Sequence, residues 1–301
     1  MRFSFIKLKY IFFTFSAIII LAGLVSITMQ GFNLGIDFTG GALLDLKFEK
    51  PVTVAEVRAV LKDYGLENST LQLAGTEKVD KAPNVMIRTH FLSEDESKAL
   101  LAGLADKLGK YDVKRIENVG ATISSELARE SLIALLLSWL VIIAYVAYRF
   151  EYRFGVAGVL ALVHDVMIVV GLFSIFQIEM DATFVAALLT IVGYSINDTI
   201  VIFDRIRENM RFMKKGETLP DMVDNSIWQT MTRSIYTSLT VMFCVVSMYF
   251  LGGETTKTFA LALIIGFISG TYSTVFLASP IWLVWKEHDE KKRIEHRMRP
   301  A

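Results

Sequence analysis

Six long apolar runs alternate with short charged clusters along this chain, and that alternation predicts a polytopic membrane protein. A window of about 19 residues selects 10–29, 131–148, 154–176, 183–203, 228–251 and 259–285. Each run approaches or exceeds the roughly 20 residues that cross about 30 Å of hydrocarbon at 1.5 Å per residue. Between the first two runs the pattern shortens. Ala42–Phe48 reads as a strand, Val54–Tyr64 as a helix, and Thr70–Ala74 and Val85–Thr89 as strands flanking a polar stretch with Gly75 and Pro83. Ser93–Leu108 reads as a helix opened by a capping box, Ser93 with Glu96 three residues on, and Val113–Val119 as a last strand. The order β-α-β-β-α-β predicts a split-βαβ, ferredoxin-like α+β module. The expected fold class is thus an all-α membrane bundle of six helices carrying one small α+β domain. Four regions are expected: a stub with the first span (1–29), the α+β domain (30–130), a five-helix region (131–285) and a basic tail (286–301).

Charge sets the expected orientation. The stub (Arg2, Lys7, Lys9), the loop after the second span (Arg149, Arg153), the loop after the fourth (Arg205, Arg207, Arg211, Lys214, Lys215) and the tail (Lys286, Lys291, Lys292, Arg293, Arg297, Arg299) hold sixteen Lys and Arg. The two short loops on the other side, 177–182 and 252–258, hold only Lys257. By the positive-inside rule both termini face the cytoplasm and residues 30–130 lie outside the membrane. The first apolar run lacks a small-x-small cleavage site, so it is read as a retained anchor.

Composition narrows the function. The chain is 53% hydrophobic with a formal net charge of zero, and its single cysteine, Cys244, lies inside an apolar run. The outer domain has thirteen Lys/Arg against sixteen Asp/Glu, so it carries no basic nucleic-acid footprint. It shows no metal cluster and no nucleophile–base arrangement, and its one histidine, His90, reads as a surface residue. No enzyme, metal or cofactor is expected. The segment Gly35-Ile-Asp37-Phe38-Thr-Gly40-Gly41 stands between the first span and the first strand. A phosphate-cradling loop has strand before and helix after. Here the order is reversed, so the glycines are read as a tight turn.

Ionisable groups inside apolar runs are the candidate chemistry, because each costs about 2.5–3.5 kcal/mol or more at a helix centre. The third run holds His164 and Asp165. The fourth holds Gly193-Tyr-Ser-Ile-Asn197-Asp198, with Thr190, Tyr194 and Asp198 at i, i+4, i+8. The fifth carries Arg233, Thr237, Thr240, Cys244 and Ser247 on one stripe, and the sixth holds Gly266, Ser269, Gly270 and Ser273, suited to close helix contact. Asp198 and Arg233 each lie about five residues from the cytoplasmic ends of their runs, roughly 8 Å deep at 1.5 Å per residue. They are expected to meet as an ion pair or as partners in a proton relay, with Asp165 nearer mid-membrane.

These motifs resemble a known family. Gly-Ile-Asp-Phe-Thr-Gly-Gly at 35–41, Ala-Leu-Val-His-Asp-Val at 161–166, the run Val-Gly-Tyr-Ser-Ile-Asn-Asp-Thr-Ile-Val-Ile-Phe-Asp-Arg-Ile-Arg-Glu-Asn at 192–209 and Thr-Arg-Ser-Ile-Tyr-Thr-Ser at 232–238 are similar to the SecF pattern of the SecD/SecF family. The resemblance covers essentially the whole chain. It implies an RND-type half-bundle that pairs with SecD and associates with the SecYEG channel in the bacterial inner membrane. It further implies that a proton (or sodium) gradient drives late steps in the export of unfolded polypeptides. Asp198 and Arg233 are the ion-coupling residues it implies, beside Asn197, Asp165 and His164. Gly35, Asp37, Phe38, Gly40, Gly41 and Gly193 are its structural motif residues. A small-molecule or lipid exporter of the RND type is the alternative, though such exporters usually carry both halves in one chain. An intramembrane protease would need two catalytic groups at matched depth, whereas Asp165 and Asp198 are roughly 7 Å apart in depth.

Overall fold

The computed structural model describes residues 3–74, 81–149, 151–213 and 215–298. Arg2, Gly75, Lys214 and Arg299 lie outside the described residues, as do the side chains of Arg293 and Arg297. The chain divides into two compact units, Leu34–Leu132 and Met1–Asn33 with Ile133–Ala301.

The smaller unit opens with a one-turn helix, α2 (Ile36–Thr39), numbered after α1 (Lys9–Gln30) of the other unit. It continues as β1 (Gly41–Thr53), α3 (Val54–Lys62), β2 (Thr70–Ala74), β3 (Lys81–Thr89), α4 (Glu94–Leu108) and β4 (Tyr111–Val119). The sheet order is β2-β3-β1-β4, and every neighbouring pair is antiparallel. Alternation in β1 explains the core: Leu44, Leu46 and Phe48 point one way, as the period of two requires, and are fully buried. They meet Val57, Val60 and Leu61 of α3 and Leu100 and Leu104 of α4. Both helices start at capping boxes, Thr53 with Glu56 and Ser93 with Glu96, each serving donors the helix itself leaves unpaired. β1 runs to Thr53 rather than ending near Phe48, because pairing with β3 resumes past a register shift between Lys47 and Val52.

The larger unit contains α1, the second part of α5 (Ala121–Arg149), α6 (Tyr152–Ile175), α7 (Ala182–Arg211), α8 (Leu219–Leu251), α9 (Glu254–Ser273), a π turn (Thr274–Ala278) and α10 (Ser279–Met298). Among the described residues six helices are long and apolar enough to cross a membrane, the sixth running from α9 through the π turn into α10. α1 crosses α6 at glycines: a Cβ on Gly23 would stand 2.8 Å from the Gly171 Cα, so only paired glycines let the backbones touch. Asp181 caps α7 by accepting from the Phe184 N–H at 3.0 Å. Thr218 caps α8 with Pro220 in its first turn, and this polar start places the helix nine residues before the apolar run that begins at Trp228. That added segment buries Met222 and Val223, and Asp224 receives the Ile6 N–H at 3.1 Å.

Candidate functional site

Asp165 of α6 is the most enclosed ionisable side chain among the described residues of the helices, 1% exposed. Its Oδ2 accepts from Ser195 Oγ of α7 at 2.7 Å and from Ser273 Oγ at the end of α9 at 2.8 Å. Its Oδ1 accepts from Ser269 Oγ of α9 at 2.7 Å and lies 3.1 Å from His164 Nδ1. The spacing of Ser269 and Ser273, i and i+4, puts both hydroxyls on one face of α9. The π turn begins at the next residue, where the wider winding lets Thr274 reach Thr199 of α7 at 2.9 Å. One carboxylate thus fastens three helices. Sequence reasoning had Ser269 and Ser273 only as small packing residues and missed Ser195; the i, i+4 pairing of serines opposite a buried acid was the available signal.

Asp198 of α7 is built differently. Its Oδ1 accepts from Ser234 Oγ of α8 at 2.7 Å, while its Oδ2 is buried with no hydrogen-bond partner. One turn earlier the Tyr194 hydroxyl donates to Ser238 at 3.2 Å, and Ser238 is 2.9 Å from Thr271 of α9. Tyr194 and Asp198 therefore share the face expected of them, but Thr190 lies on the exposed side and bonds only its own helix, at the Ala186 carbonyl. The ion pair with Arg233 is not formed: the residue turned toward Asp198 is Ser234, and Arg233 is exposed. Successive helix positions are rotated by about 100°, so only one of two neighbours can face a given helix. Asn197 and Gly193 are likewise exposed, and a Cβ at Gly193 would meet nothing. The whole α8 stripe Arg233, Thr237, Thr240, Cys244 and Ser247 faces out of this chain. Arg233 lines a cavity of about 330 Å³ with Arg149, Asp204, Arg205, Glu208 and Gln229, polar for much of its wall. Among the described residues no group of three His, Cys, Asp or Glu could hold a metal ion.

The glycine segment belongs to the smaller unit. Gly35 is buried ahead of α2, and Asp37 and Phe38 are half-buried within that turn. Gly40 (φ +73°) and Gly41 (φ +122°) both sit where side chains are strained. A Cβ on Gly40 would come within 3.3 Å of Ser124 Oγ, and one on Gly41 would collide with the Thr89 carbonyl oxygen. The double glycine is therefore required to bring the chain into β1 against β3.

An α-helical membrane unit with acids among its spans and a β-α-β-β-α-β unit after the first span define the class, and comparison with known proteins gives the family. Residues 100–288 match the family described as "Protein export membrane protein SecD/SecF, C-terminal", and residues 25–52 match the "SecD/SecF GG Motif". The chain is 47% identical over 287 residues to the protein translocase subunit SecF of Acidaminococcus fermentans, covering 95% of this chain and 98% of that one. It is 40% identical over 300 residues to the SecF of Vibrio alginolyticus, covering 97% and 93%. Among solved structures it is similar to SecDF of Thermus thermophilus, described as a translocon-associated membrane protein, with a TM-score of 0.86 and 35% identity. That match covers 95% of this chain but 39% of the SecDF chain, so this chain spans well under half of it. A second SecDF structure, in a super-membrane-facing form, matches with a TM-score of 0.71. The chain belongs to the SecD/SecF family of protein-export membrane proteins, among the SecF subunits.

Proposed function

We propose that this chain works as the SecF half of an export complex, an accessory to Sec protein translocation. Pairing with SecD is supported by the single SecDF chain whose SecF-like portion it matches. Association with SecYEG and with unfolded, translocating polypeptides follows from the same reading. The charge asymmetry of the loops supports an inner-membrane protein with both termini cytoplasmic and the 30–130 region, a separate domain, outside. Its element order and the sheet order β2-β3-β1-β4 support the ferredoxin-like assignment of that domain.

The complex couples export to the transmembrane ion gradient through the groups in its spans. Asp198 is the central one, with Arg233 its switching cation and Asn197, His164 and Asp165 accessory. The observation that carries this reading is the unpartnered Oδ2 of Asp198: a buried carboxyl with one oxygen free can take up a proton without losing its bond to Ser234. In one state Asp198 is held by Ser234; in the other, movement of α8 brings Arg233 to it. No catalytic residue takes part. Export of a preprotein into inverted membrane vesicles, measured with and without an imposed gradient, tests this. Asp198→Asn is expected to abolish the gradient-driven increment while leaving basal export in place. A full increment in the Asp198→Asn variant would overturn the reading.

A further inference from the structure

α1 starts without a cap of its own: Leu8, the residue before it, makes no side-chain bond. The turn ahead of it, 5–8, is closed by other groups, because the first N–H groups of a helical segment have no partner within it. Ser4 Oγ accepts from the Lys7 N–H at 3.3 Å and donates to Asp224 Oδ2 of α8, while Asp224 Oδ1 accepts from the Ile6 N–H at 3.1 Å. One turn further along α8, Trp228 Nε1 donates to the Phe3 carbonyl at 2.9 Å. Phe5 and Ile6 are each 4% exposed, and the Phe5 ring stands 5.3 Å from that of Trp228 and 5.6 Å from that of Phe276. Residues 3–6 thus strap the base of α8 to the start of α1.

The strap is sensitive to how α8 is rotated. Asp224 and Trp228, four residues apart, share one face of the helix. For a rigid helix, putting Arg233 in the place of Ser234 opposite Asp198 takes a rotation of about 100°, the angle of one residue. The same rotation puts Val223 where Asp224 stood and Ile227 where Trp228 stood. Neither side chain can form a hydrogen bond, so the Ile6 N–H, the Ser4 hydroxyl and the Phe3 carbonyl all lose their partners on α8. The strap and the Arg233 setting therefore exclude each other. Little else fixes the rotation further along: beyond Ser234, α8 buries Val245 alone among its described residues. Beside the strap lies a cavity of about 570 Å³ bordered by Phe3, Phe5, Trp228, Met231, Ile235 and Phe276, which leaves these α8 side chains room to turn.

We propose that Phe3–Ile6, Asp224 and Trp228 form a latch that holds α8 with Ser234 toward Asp198 and opens when α8 turns Arg233 to it. Asp224 is its positioning residue, acting on Asp198 only through the rotation of α8. Opening breaks three hydrogen bonds and the contact of Phe5 with Trp228, all of them at α8. The contact of Phe5 with Phe276 is not broken, so the segment stays in place to close again. The inference rests on the two-state reading above and names the part of the chain that fixes one of the states.

The test uses the complete export complex in vesicles. Ser4→Cys and Asp224→Cys, combined with Cys244→Ser, are joined by a short reducible crosslinker. The gradient-driven increment in export is expected to disappear on crosslinking and to return on reduction, with basal export the same in both. A second measurement leaves the latch residues intact and stands even where the cysteine pair does not fold. Spin labels on Lys7→Cys and Asn225→Cys, exposed positions on either side of the contact, are placed in the same Cys244→Ser background. They are expected to give one short distance in resting vesicles and a second, longer one under an imposed gradient. A full increment in the crosslinked complex, or a single unchanged distance under the gradient, overturns the latch. If Asp198→Asn still abolishes the increment in that case, the wider functional reading survives; if it does not, both fall.

Discussion

The two flanks of the helical unit differ more than their sequences suggest. In α6 and the sixth span, 61% of the best apolar window is buried; in the second span none is, and in α8 only 11%. The closed flank spends its polar residues on each other: Ser26 with Ser174, Ser195, Ser269 and Ser273 with Asp165, and Thr199 with Thr274. The open flank presents Leu136, Leu137, Leu140 and Val141 on α5 and the polar stripe from Arg233 to Ser247 on α8. Lipid satisfies the first of these faces and not the second: Thr237 and Thr240 bond carbonyls of their own helix, but a guanidinium finds no partner in hydrocarbon. Evidently the closed flank holds this chain together, whereas the α8 stripe is suited to another polar surface.

That contrast can be broken most sharply at Asp165. Asp165→Ala leaves the buried donors of His164, Ser195 and Ser269 without an acceptor, each costing about 1–3 kcal/mol, while Ser273 keeps the Gly270 carbonyl, so a loss of several kcal/mol is expected. It would appear as a large drop in thermal midpoint and folded yield of the full chain in detergent. Gly171→Leu tests the backbone contact with Gly23: forcing a side chain between touching helices should cost about 1–3 kcal/mol, read from the same melting curve. Asp198→Asn, whose amide oxygen still accepts from Ser234, should cost about 1 kcal/mol or less in the same assay. On the open flank, Leu140→Ala should change the melting of the isolated chain by no more than about 0.5 kcal/mol. A loss as large as that at Gly171 would mean that α5 is packed after all.

The smallest effect is expected in the α/β unit. Glu56 and Glu96 are held below the usual carboxylate range, chiefly by the backbone N–H groups of Thr53 and Ser93 and then by the hydroxyls of the same residues. Their ionised forms stabilise the folded unit above the unfolded-state pKa, and this contribution fades as pH falls through the lowered folded values. Acid melting of the full chain monitored in this unit should therefore be slightly steeper than in a Glu56→Gln, Glu96→Gln variant.

Period and capping made much of this legible. The alternation in Ala42–Phe48, the capping boxes and the six apolar runs all lie in local sequence, and most of the corresponding elements form within a few residues of their expected bounds. The exceptions have a common cause. α5 begins at Ala121 and α8 at Leu219 because polar turns continue both helices beyond their apolar windows, which hydropathy alone does not register. In the site, depth along a helix could be counted from the sequence, and it brought residues 198 and 233–234 to one level. Azimuth could not: which of Arg233 and Ser234 faces α7 depends on how the helices are rotated against each other. The serines around Asp165 were hidden for the same reason, since their meeting is set by three helices at once.

The π turn at Thr274–Ala278 has a consequence for how this span tolerates change. An i→i+5 turn accommodates one residue more than an ordinary ladder. Deleting a residue elsewhere in the span would shorten it by 1.5 Å and throw every later side chain out of phase by about 100°. Deleting one here would let the ladder close while Trp282 and the segment beyond kept their phase. What would vanish is the offset that lets two consecutive hydroxyls serve two different neighbours.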